Sequence, residues 1–241
     1  IAYAAQTRVD VLVFICALQR HNAGPTVEHC RRLNKLLRWI QRNPKKLVYR
    51  RFLNKVTHTH QRIISDAAFK KEVDDGYSLR GGLFVRCAGT DEQHIHARQG
   101  VAHLLDWACK SQKCVTRSTF AAEMLAAGDA ADQGILISHL LWEIEHGPLT
   151  KAEARDKRIS GGFTPTALYV DARSVFAAVS ATFIKTPADK SLLIHVQYMR
   201  ELIDTKLIGH IVWCDTRDMY SDGLTKGAVA RDLLHEIMEG H

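Results

Sequence analysis

The stretch R-I-I-S-D at residues 62–66 is a short apolar run that ends on a carboxylate, Asp66. An apolar run of this length, bounded by polar residues, is typical of a buried strand. Residues 167–171, A-L-Y-V-D, have the same pattern and end on Asp171. The sequence therefore predicts two buried strands, far apart in the chain, that each carry an acid at the carboxyl end.

Further strands and helices are predicted around these two runs. Residues 76–89 and 101–109 are apolar runs bounded by polar turns, and together with 62–66 they are typical of an antiparallel meander. A last strand is predicted over 209–214, and helices over 120–146 (with Ser118 or Thr119 as N-cap), 190–206, 218–224 and 228–238. The polar connection over 149–166 is either a loop or a short helix and loop. This order of elements predicts an α/β fold with a mixed sheet covered by helices.

The first sixty residues differ from the rest because they are helical and basic. Helices are predicted over 6–21 and 27–43, the second with Thr26 as N-cap but with His29 in place of the Glu of a capping box. Residues 1–60 contain 12 Lys and Arg against 2 Asp and Glu, a balance of +10, whereas residues 61–241 contain 21 against 24, a balance of −3. One interpretation of this asymmetry is a basic arm that contacts a polyanion. The other is a solvated helix face.

The composition excludes several classes of protein. Of the 241 residues, 46% are hydrophobic and 24% charged, which is typical of a globular chain and not of a disordered one. The longest strongly apolar run, residues 11–18, is far shorter than the roughly 20 residues that span a bilayer. No secretory signal is visible, and the six cysteines form no C-x-x-C pair, which is typical of reduced thiols. We therefore expect an intracellular protein with no membrane partner.

Four acids occur at strand ends or on helices of this pattern: Asp66, Glu123, Asp171 and Asp222. Any one of them alone is more simply interpreted as structural, as a turn-former for example. As a set they suggest a metal site, since packed carboxylates repel one another unless cations neutralise them. Ligands that are all oxygen select hard cations such as Mg²⁺ or Mn²⁺ over zinc. Two such ions can activate a water and stabilise the leaving oxygen of a phosphodiester.

Six short blocks that carry or flank these acids follow one another along the chain. They are S-D-A at 65–67, G-Y-S at 76–78 with F-V at 84–85, D-W at 106–107 with K-S-Q-K at 110–113, S-T-F-A-A-E at 118–123, L-Y-V-D at 168–171 and D-M-Y-S-D-G-L-T-K at 218–226. In this order the blocks resemble those of the ribonuclease H domain of copia-type retrotransposon polyproteins, over residues 61–226. Upstream, T-R-V-D at 7–10 and P-T-V-E-H at 25–29 resemble the tail of the reverse transcriptase that precedes that domain.

The resemblance implies a ribonuclease H-like fold. Such a fold has a mixed five-stranded sheet, three antiparallel strands followed by two parallel additions, flanked by helices and here preceded by a short helical arm. It also implies two domains, with residues 1–55 as the helical tail of the reverse transcriptase thumb or connection region and residues 56–241 as the ribonuclease H-like domain. The chain, which begins at Ile1, would then be cut from a longer polyprotein located in a cytoplasmic particle or the nucleus.

The same resemblance implies an activity. Asp66, Glu123, Asp171 and Asp222 would hold two Mg²⁺ (or Mn²⁺) ions and hydrolyse the RNA strand of an RNA–DNA hybrid. The partners would be this hybrid and the upstream polymerase domain of the parent polyprotein, whose activity is not expected of this chain alone. The basic helix would lie against the duplex backbone; its candidate contacts are Arg31, Arg32, Lys35 and Arg38, followed by Lys45 and Lys46. His195 is either an auxiliary group near the site or an exposed surface histidine.

Departures from the family pattern leave alternatives open. The family carries a second Glu two residues before the helical acid, where this chain has Ala121, and an H-I-D block where residues 191–193 are S-L-L. The main alternative is therefore a catalytically impaired retroelement remnant that binds nucleic acid without cleaving it. A weaker alternative is another enzyme of the same fold, such as an integrase or a resolvase.

Overall fold

The computed structural model describes residues 2–52, 58–69, 78–89, 100–113 and 115–241. The predicted start of the second strand, residues 76–77, lies outside the described residues. Residue 55, where the first of the two domains is predicted to end, also lies outside them, and the division into two domains stays a prediction.

Five strands form one mixed sheet. The strands β1 (Thr59–Ala68), β2 (Leu79–Ala88) and β3 (Ala102–Ser111) pair antiparallel, while β4 (Thr166–Val170) pairs parallel with β1, and β5 (His210–Trp213) pairs parallel with β4. The strand order is β3-β2-β1-β4-β5. The predicted fold class, with three antiparallel strands followed by two parallel additions and flanking helices, is therefore confirmed.

The helices cover both faces of this sheet. In chain order they are α1 (Leu12–Gln19), α2 (Val27–Arg42), α3 (Thr119–His146), α4 (Lys151–Ser160), α5 (Arg173–Ser180), α6 (Leu193–Asp204), α7 (Asp222–Thr225) and α8 (Asp232–Met238). The predictions for α2 and α3 are confirmed, with Ser118 as the N-cap of α3. His29 also completes the capping box of α2, because its Nδ1 accepts a hydrogen bond from Thr26 N at 3.1 Å.

The first predicted helix is interrupted, and a buried ion pair explains why. In place of one helix over 6–21, short 3₁₀ turns at Ala2–Gln6 and Val9–Val11 precede α1. The guanidinium of Arg8 donates hydrogen bonds of 2.9 and 2.8 Å to the carboxylate of Asp10, and both residues are buried. Side chains two residues apart do not face each other on an α-helix. The pair thus requires the non-helical backbone found at Arg8, with φ −116° and ψ 71°.

One further helix settles an open alternative, and another was not predicted. The open connection over 149–166 contains α4, which begins with a capping box between Thr150 and Glu153 and ends at Gly161 in the left-handed region, with φ 69°. The helix α5 was not predicted, because its eight residues are too few for a periodic pattern. Its Val175 and Val179 are buried against the sheet, so tertiary packing stabilises it.

The core is divided by the sheet into two layers. Ile63 packs with α3, α5 and α6 on one face, while its neighbour Ile64 packs on the other face with Leu224 of α7 and Leu234 of α8. Burial of both faces explains why the strand that ends at Asp66 has a continuous apolar run instead of an alternating one.

The basic arm before the sheet is docked on that second layer. Val9, Leu12 and Val13 belong to the same core as the strand residues. Polar contacts join the two as well: Cys16 Sγ donates to the carbonyl of Cys109 at 2.9 Å and Arg231 Nε donates to the carbonyl of Asp10 at 2.8 Å. The arm is thus packed against the body. No helix in the described parts of the chain combines the length and the apolar character needed to cross a membrane.

Candidate active site

Three of the four predicted acids meet at the carboxyl edge of the parallel strand pair. Ser65 of β1 lies opposite Val170 of β4, so the next residues, Asp66 and Asp171, lie side by side. Asp222, the first residue of α7, approaches the same edge. Carboxylate oxygens of Asp66, Asp171 and Asp222 all lie within 4.8 Å of one another. The topology therefore gathers acids from three distant parts of the chain into one cluster, which we call the acid cluster.

The fourth acid, Glu123, is buried beside this cluster on α3. The Ser118 cap sets the start of the helix and leaves Glu123 on the inward face, with 7% of its surface exposed. Its side chain accepts a hydrogen bond from the backbone of Ala67 in β1. Burial, followed by the charges of Asp66 and Asp171, raises the pKa of Glu123 to about 9. Glu123 thus responds electrostatically to the cluster, although it is not one of the three acids whose oxygens lie within 4.8 Å.

Asp66 is the most buried member, with 0% of its surface exposed. Burial raises its pKa to about 6, although Lys226 and a hydrogen bond from the Thr225 hydroxyl oppose the rise, and Asp222 and Asp171 add to it. An acid buried among other acids is a common property of functional sites, since folding alone does not favour it.

One lysine lies inside the cluster. Lys226 follows Asp222 by one helical turn, and its Nζ lies 2.6 Å from Asp222 Oδ1 and 3.5 Å from Asp66 Oδ1. Burial opposes its charged form, but Asp66, Asp222 and Asp171 together raise its pKa above the ordinary value. Burial likewise raises the pKa of Asp222 despite the lysine. One ammonium group therefore faces four carboxyl groups.

Neutral side chains orient the acids. Thr216 Oγ1 donates to Asp171 Oδ2 at 3.0 Å, and Trp213 Nε1 donates to the backbone carbonyl of Asp171 at 2.8 Å. Thr225 performs the same role for Asp66. The roles of these three residues were not predicted from the sequence. Thr225 and Lys226 belong to a block of the family resemblance, whereas Thr216 and Trp213 carry no local signal because their partner lies more than forty residues earlier in the chain.

Close backbone packing brings α7 to the sheet. Gly81 of β2 lies opposite Asp66, and a Cβ at Gly81 would stand 2.9 Å from Thr225 Cγ2 and 3.0 Å from Leu224 Cβ. A side chain at this position would push α7 away from the strands. The absence of a side chain thus lets Asp222 and Lys226 reach the acids of β1 and β4.

The donor set fits a hard divalent cation. The clustered ligand atoms are carboxylate oxygens, which Mg²⁺ and Mn²⁺ prefer, and within the described residues no His or Cys joins them in a shared ligand group. Burial, together with the neighbouring acids, raises the pKa values of Asp66 and Glu123 and so disfavours their ionised forms in the absence of a further cation. A divalent ion would supply the missing positive charge.

The remaining predicted residues lie away from this cluster. His195 is partly buried on α6, and its ring is not among the clustered ligand atoms. On the arm, Arg31, Arg32, Lys35, Arg38 and Lys46 are exposed. Lys45 is partly buried and pairs with Glu239 at 2.8 Å, and Arg32 pairs with Glu28 at 3.1 Å. A basic surface is thus present on α2, separate from the acid cluster.

Comparisons with known proteins return distant structural likenesses only. No family model and no curated protein sequence matches the chain. Among solved structures, the N-terminal RNase H domain of Rv2228c from Mycobacterium tuberculosis is 15% identical with a TM-score of 0.40, and the match covers 70% of this chain and 93% of that one. LC11-RNase H1 in complex with an RNA/DNA hybrid is 12% identical with a TM-score of 0.43, covering 70% and 96%. RNase H1 from Halobacterium salinarum is 14% identical with a TM-score of 0.39, covering 74% and 98%.

These neighbours are RNase H proteins or domains, whereas the fold class of this chain rests on its own strand order. At such low identities and TM-scores the likeness carries no inference about chemistry. What the site does must follow from its own residues.

Proposed function

We propose that this chain hydrolyses the RNA strand of RNA–DNA hybrids with the help of divalent metal ions. The observation that carries the proposal is the cluster of Asp66, Asp171 and Asp222, whose carboxylate oxygens lie within 4.8 Å of one another with one lysine between them. A set of oxygen ligands at a sheet edge, with no nucleophile among them, suits hydrolysis by an activated water.

The residues of the cluster would bind and hold the ions. Asp66, Asp171 and Asp222 would provide the ligand oxygens, with Glu123 completing the set for two Mg²⁺ or Mn²⁺ ions. Bound divalent ions supply Lewis acidity and an activated water to phosphodiester chemistry. Thr216 and Trp213 hold Asp171 in place, and Thr225 holds Asp66, so the ligands are oriented before a substrate arrives.

The exposed cations of α2 would bind the substrate backbone. These cations lie on a helix that contains a single acid, Glu28. They are Arg31, Arg32, Lys35 and Arg38, and Lys46 follows shortly after the helix. Contacts between such cations and phosphates weaken as salt rises. Discrimination of RNA from DNA would come from contacts to 2′-hydroxyls in the minor groove of the hybrid.

The finer biological setting rests on the sequence resemblance. In this setting the chain is the ribonuclease H part of a copia-like reverse transcriptase, with residues 1–55 as the tail of the thumb or connection region. Its second partner is the upstream polymerase domain, and it acts inside the cell, in a cytoplasmic particle or the nucleus. His195 stays a candidate auxiliary residue in this proposal.

One observation favours the catalytically impaired alternative. Lys226 Nζ lies where a cation would be bound, at 2.6 Å from Asp222 and 3.5 Å from Asp66. If the ammonium group stays in place, it neutralises part of the cluster and excludes a metal ion. The chain would then bind hybrids through α2 without cutting them.

A substrate panel separates these functions. The purified chain is mixed with an RNA–DNA hybrid, duplex RNA and duplex DNA of one sequence, each labelled on either strand, in Mg²⁺, in Mn²⁺ or in EDTA. The proposal expects cleavage of the RNA strand of the hybrid alone, and only with metal. Salt-sensitive binding of the hybrid without cleavage would establish the impaired alternative, and preferential nicking of duplex DNA would favour an integrase-like or resolvase-like enzyme.

A further inference from the structure

A groove of about 510 Å³ lies between α1 and α2, apart from the acid cluster. Its floor is apolar and includes Val11 and Leu36. Two aromatic rings line it, Phe14 from α1 and Trp39 from α2, with 37% and 38% of their surfaces exposed. A groove of this volume accommodates a small planar group such as a nucleobase.

The rim of this groove is cationic. Arg32 and Lys35 of α2 line it together with Arg231, and the stacked rings of His21 and His29 close one end, with centroids 3.9 Å apart. The acid that lines it, Asp10, is fully buried and already paired with Arg8 at 2.8 Å. Arg32 also pairs with Glu28 at 3.1 Å, and Asp10 acts electrostatically on Arg231. With Arg8 counted as the partner of Asp10, the cations Arg8, Arg32, Lys35 and Arg231 outnumber these two acids, so the groove keeps a net positive charge.

Two arginines pack on the aromatic rings. The guanidinium carbon of Arg8 lies 5.4 Å from the ring centroid of Trp39, and that of Arg231 lies 4.7 Å from the ring centroid of Phe14. Such packing holds the rings in place, with each guanidinium over one face of its ring. Aromatic platforms beside a track of cations are the means by which proteins bind single-stranded nucleic acids.

We propose that this groove binds unpaired nucleotides of a nucleic acid strand. Their bases would stack on Trp39 and Phe14, while their phosphates contact Lys35 and Arg32. A protein helix is a poorer occupant because an apolar helix would leave the cationic rim unpaired. The rim thus favours a polyanion.

The groove is connected to the acid cluster through the segment that follows Lys226. Arg231 Nη2 donates to the carbonyl of Gly227 at 3.3 Å, and a Cβ at Gly227 would lie 3.5 Å from Phe14 Cε1. The residue after Lys226 therefore lies against two residues that line the groove. The single-stranded continuation of a hybrid substrate would be the natural ligand, and this last point rests on the proposed function.

Binding of single strands can be tested without cleavage. Fluorescence anisotropy of a dye-labelled single-stranded DNA 12-mer in EDTA reports binding to the full chain. We expect Trp39→Leu to weaken binding roughly tenfold or more, since base–aromatic stacking contributes strongly to such affinity. Lys35→Gln should weaken it several-fold and reduce the dependence of affinity on salt.

Arg42→Gln provides the matched control. Arg42 is exposed on the same helix and does not line the groove, so its substitution removes one charge without touching the site. Equal losses for Lys35→Gln and Arg42→Gln, or full affinity in Trp39→Leu, would overturn the proposal. Circular dichroism melting of each variant separates lost binding from lost folding.

The hybrid assay distinguishes this inference from the proposed function. A hybrid with a single-stranded overhang should bind more tightly than a blunt hybrid, and Trp39→Leu should abolish the difference. If the overhang has no effect on binding while the hybrid is still cleaved, the groove proposal is wrong and the proposed nuclease activity is supported. If single strands bind through the groove but no hybrid is cleaved, the proposed nuclease activity is wrong and the groove proposal is supported.

Discussion

Asp66 and Asp10 are two fully buried aspartates whose ionisation behaves in opposite ways. Burial raises the pKa of Asp66 to about 6, because one shared lysine and a threonine do not outweigh burial and two neighbouring aspartates. Burial also works against the ionised form of Asp10, but Arg8, with help from His235, lowers its pKa below the ordinary value. Both are closed off from solvent, but Asp66 is more deeply buried and has acidic neighbours, whereas Asp10 has an arginine and a histidine beside it.

The comparison separates a structural ion pair from a binding site. Asp10 receives two hydrogen bonds from its own arginine and a contact from His235 Nε2 at 3.3 Å, so its charge is balanced within the protein. The acid cluster has three carboxyl groups, with Glu123 beside it, and one ammonium group, so its balance requires cations from solution. The first arrangement joins the arm to the body, and the second prepares a site for metal ions.

The largest expected effect is the loss of cleavage rate when one acid of the cluster is substituted. Asp171→Asn should lower the rate of hybrid cleavage roughly a thousandfold, since metal stabilisation of the transition state amounts to several kcal/mol and each 1.36 kcal/mol is a factor of ten. Initial rates with a labelled hybrid in Mg²⁺ measure the loss. Asp156→Asn, an exposed aspartate of α4, is the control that should keep the wild-type rate. A wild-type rate in Asp171→Asn would contradict the assignment.

The next largest effect should be on stability, at Asp10. Asp10→Asn leaves the buried Arg8 without its partner and should lower the free energy of unfolding by about 3–5 kcal/mol. Asp66→Asn in EDTA should leave that free energy unchanged or raise it, because a repelling charge is removed. Urea unfolding of both variants gives the comparison. Equal destabilisation by the two substitutions would show that the two sites are not distinct.

The pH dependence of the Asp10 effect has a definite sign. Because the folded-state pKa of Asp10 is lowered, its contribution is fully present above the ordinary value of 3.8 and disappears as the pH falls through the folded-state pKa. The difference in stability between the wild type and Asp10→Asn should therefore be constant near neutral pH and narrow below about pH 3.8. A difference that grows on acidification would contradict the lowered pKa.

A smaller effect is expected at the resident lysine. Lys226→Met removes the ammonium group that lies 2.6 Å from Asp222, so divalent ions no longer compete with it. We expect the affinity for Mg²⁺ to rise roughly tenfold, or about 1.4 kcal/mol. The measurement is the Mg²⁺ concentration that gives half of the maximal increase in melting temperature. A loss of affinity would instead make Lys226 part of what holds the ligands in position.

The smallest effect should come from an exposed ion pair. Glu28→Gln breaks the contact to Arg32 on α2, where the side chains are 56% and 65% exposed, and should change the free energy of unfolding by less than about 1 kcal/mol. The same urea experiment measures it. A loss as large as that of Asp10→Asn would mean that burial is not what distinguishes the pairs.

The strands could be predicted from the sequence because their signals are local, whereas the grouping of Asp66, Asp171 and Asp222 could be predicted only from the acids taken as a set. In the run that ends at Asp66, the consecutive apolar residues Ile63 and Ile64 indicate burial on both faces of the strand. Asp171 ends a strand with the same pattern. The orienting contacts of Thr216 and Trp213 could not be predicted, since they depend on how β4 and β5 pair. The interruption of the predicted helix before α1 could not be predicted either, because it depends on the buried pair of Arg8 and Asp10.

Counting bound divalent ions tests the central claim most directly. Isothermal calorimetry and Mn²⁺ electron paramagnetic resonance on the full chain would give the number and affinity of the ions. We predict two Mn²⁺ ions per wild-type chain, a weakened or lost set in Asp171→Asn, and a melting temperature that rises with added ion only in the wild type. No binding at millimolar Mn²⁺, with the same melting temperature in EDTA, would contradict the account and leave the acid cluster satisfied by Lys226 alone.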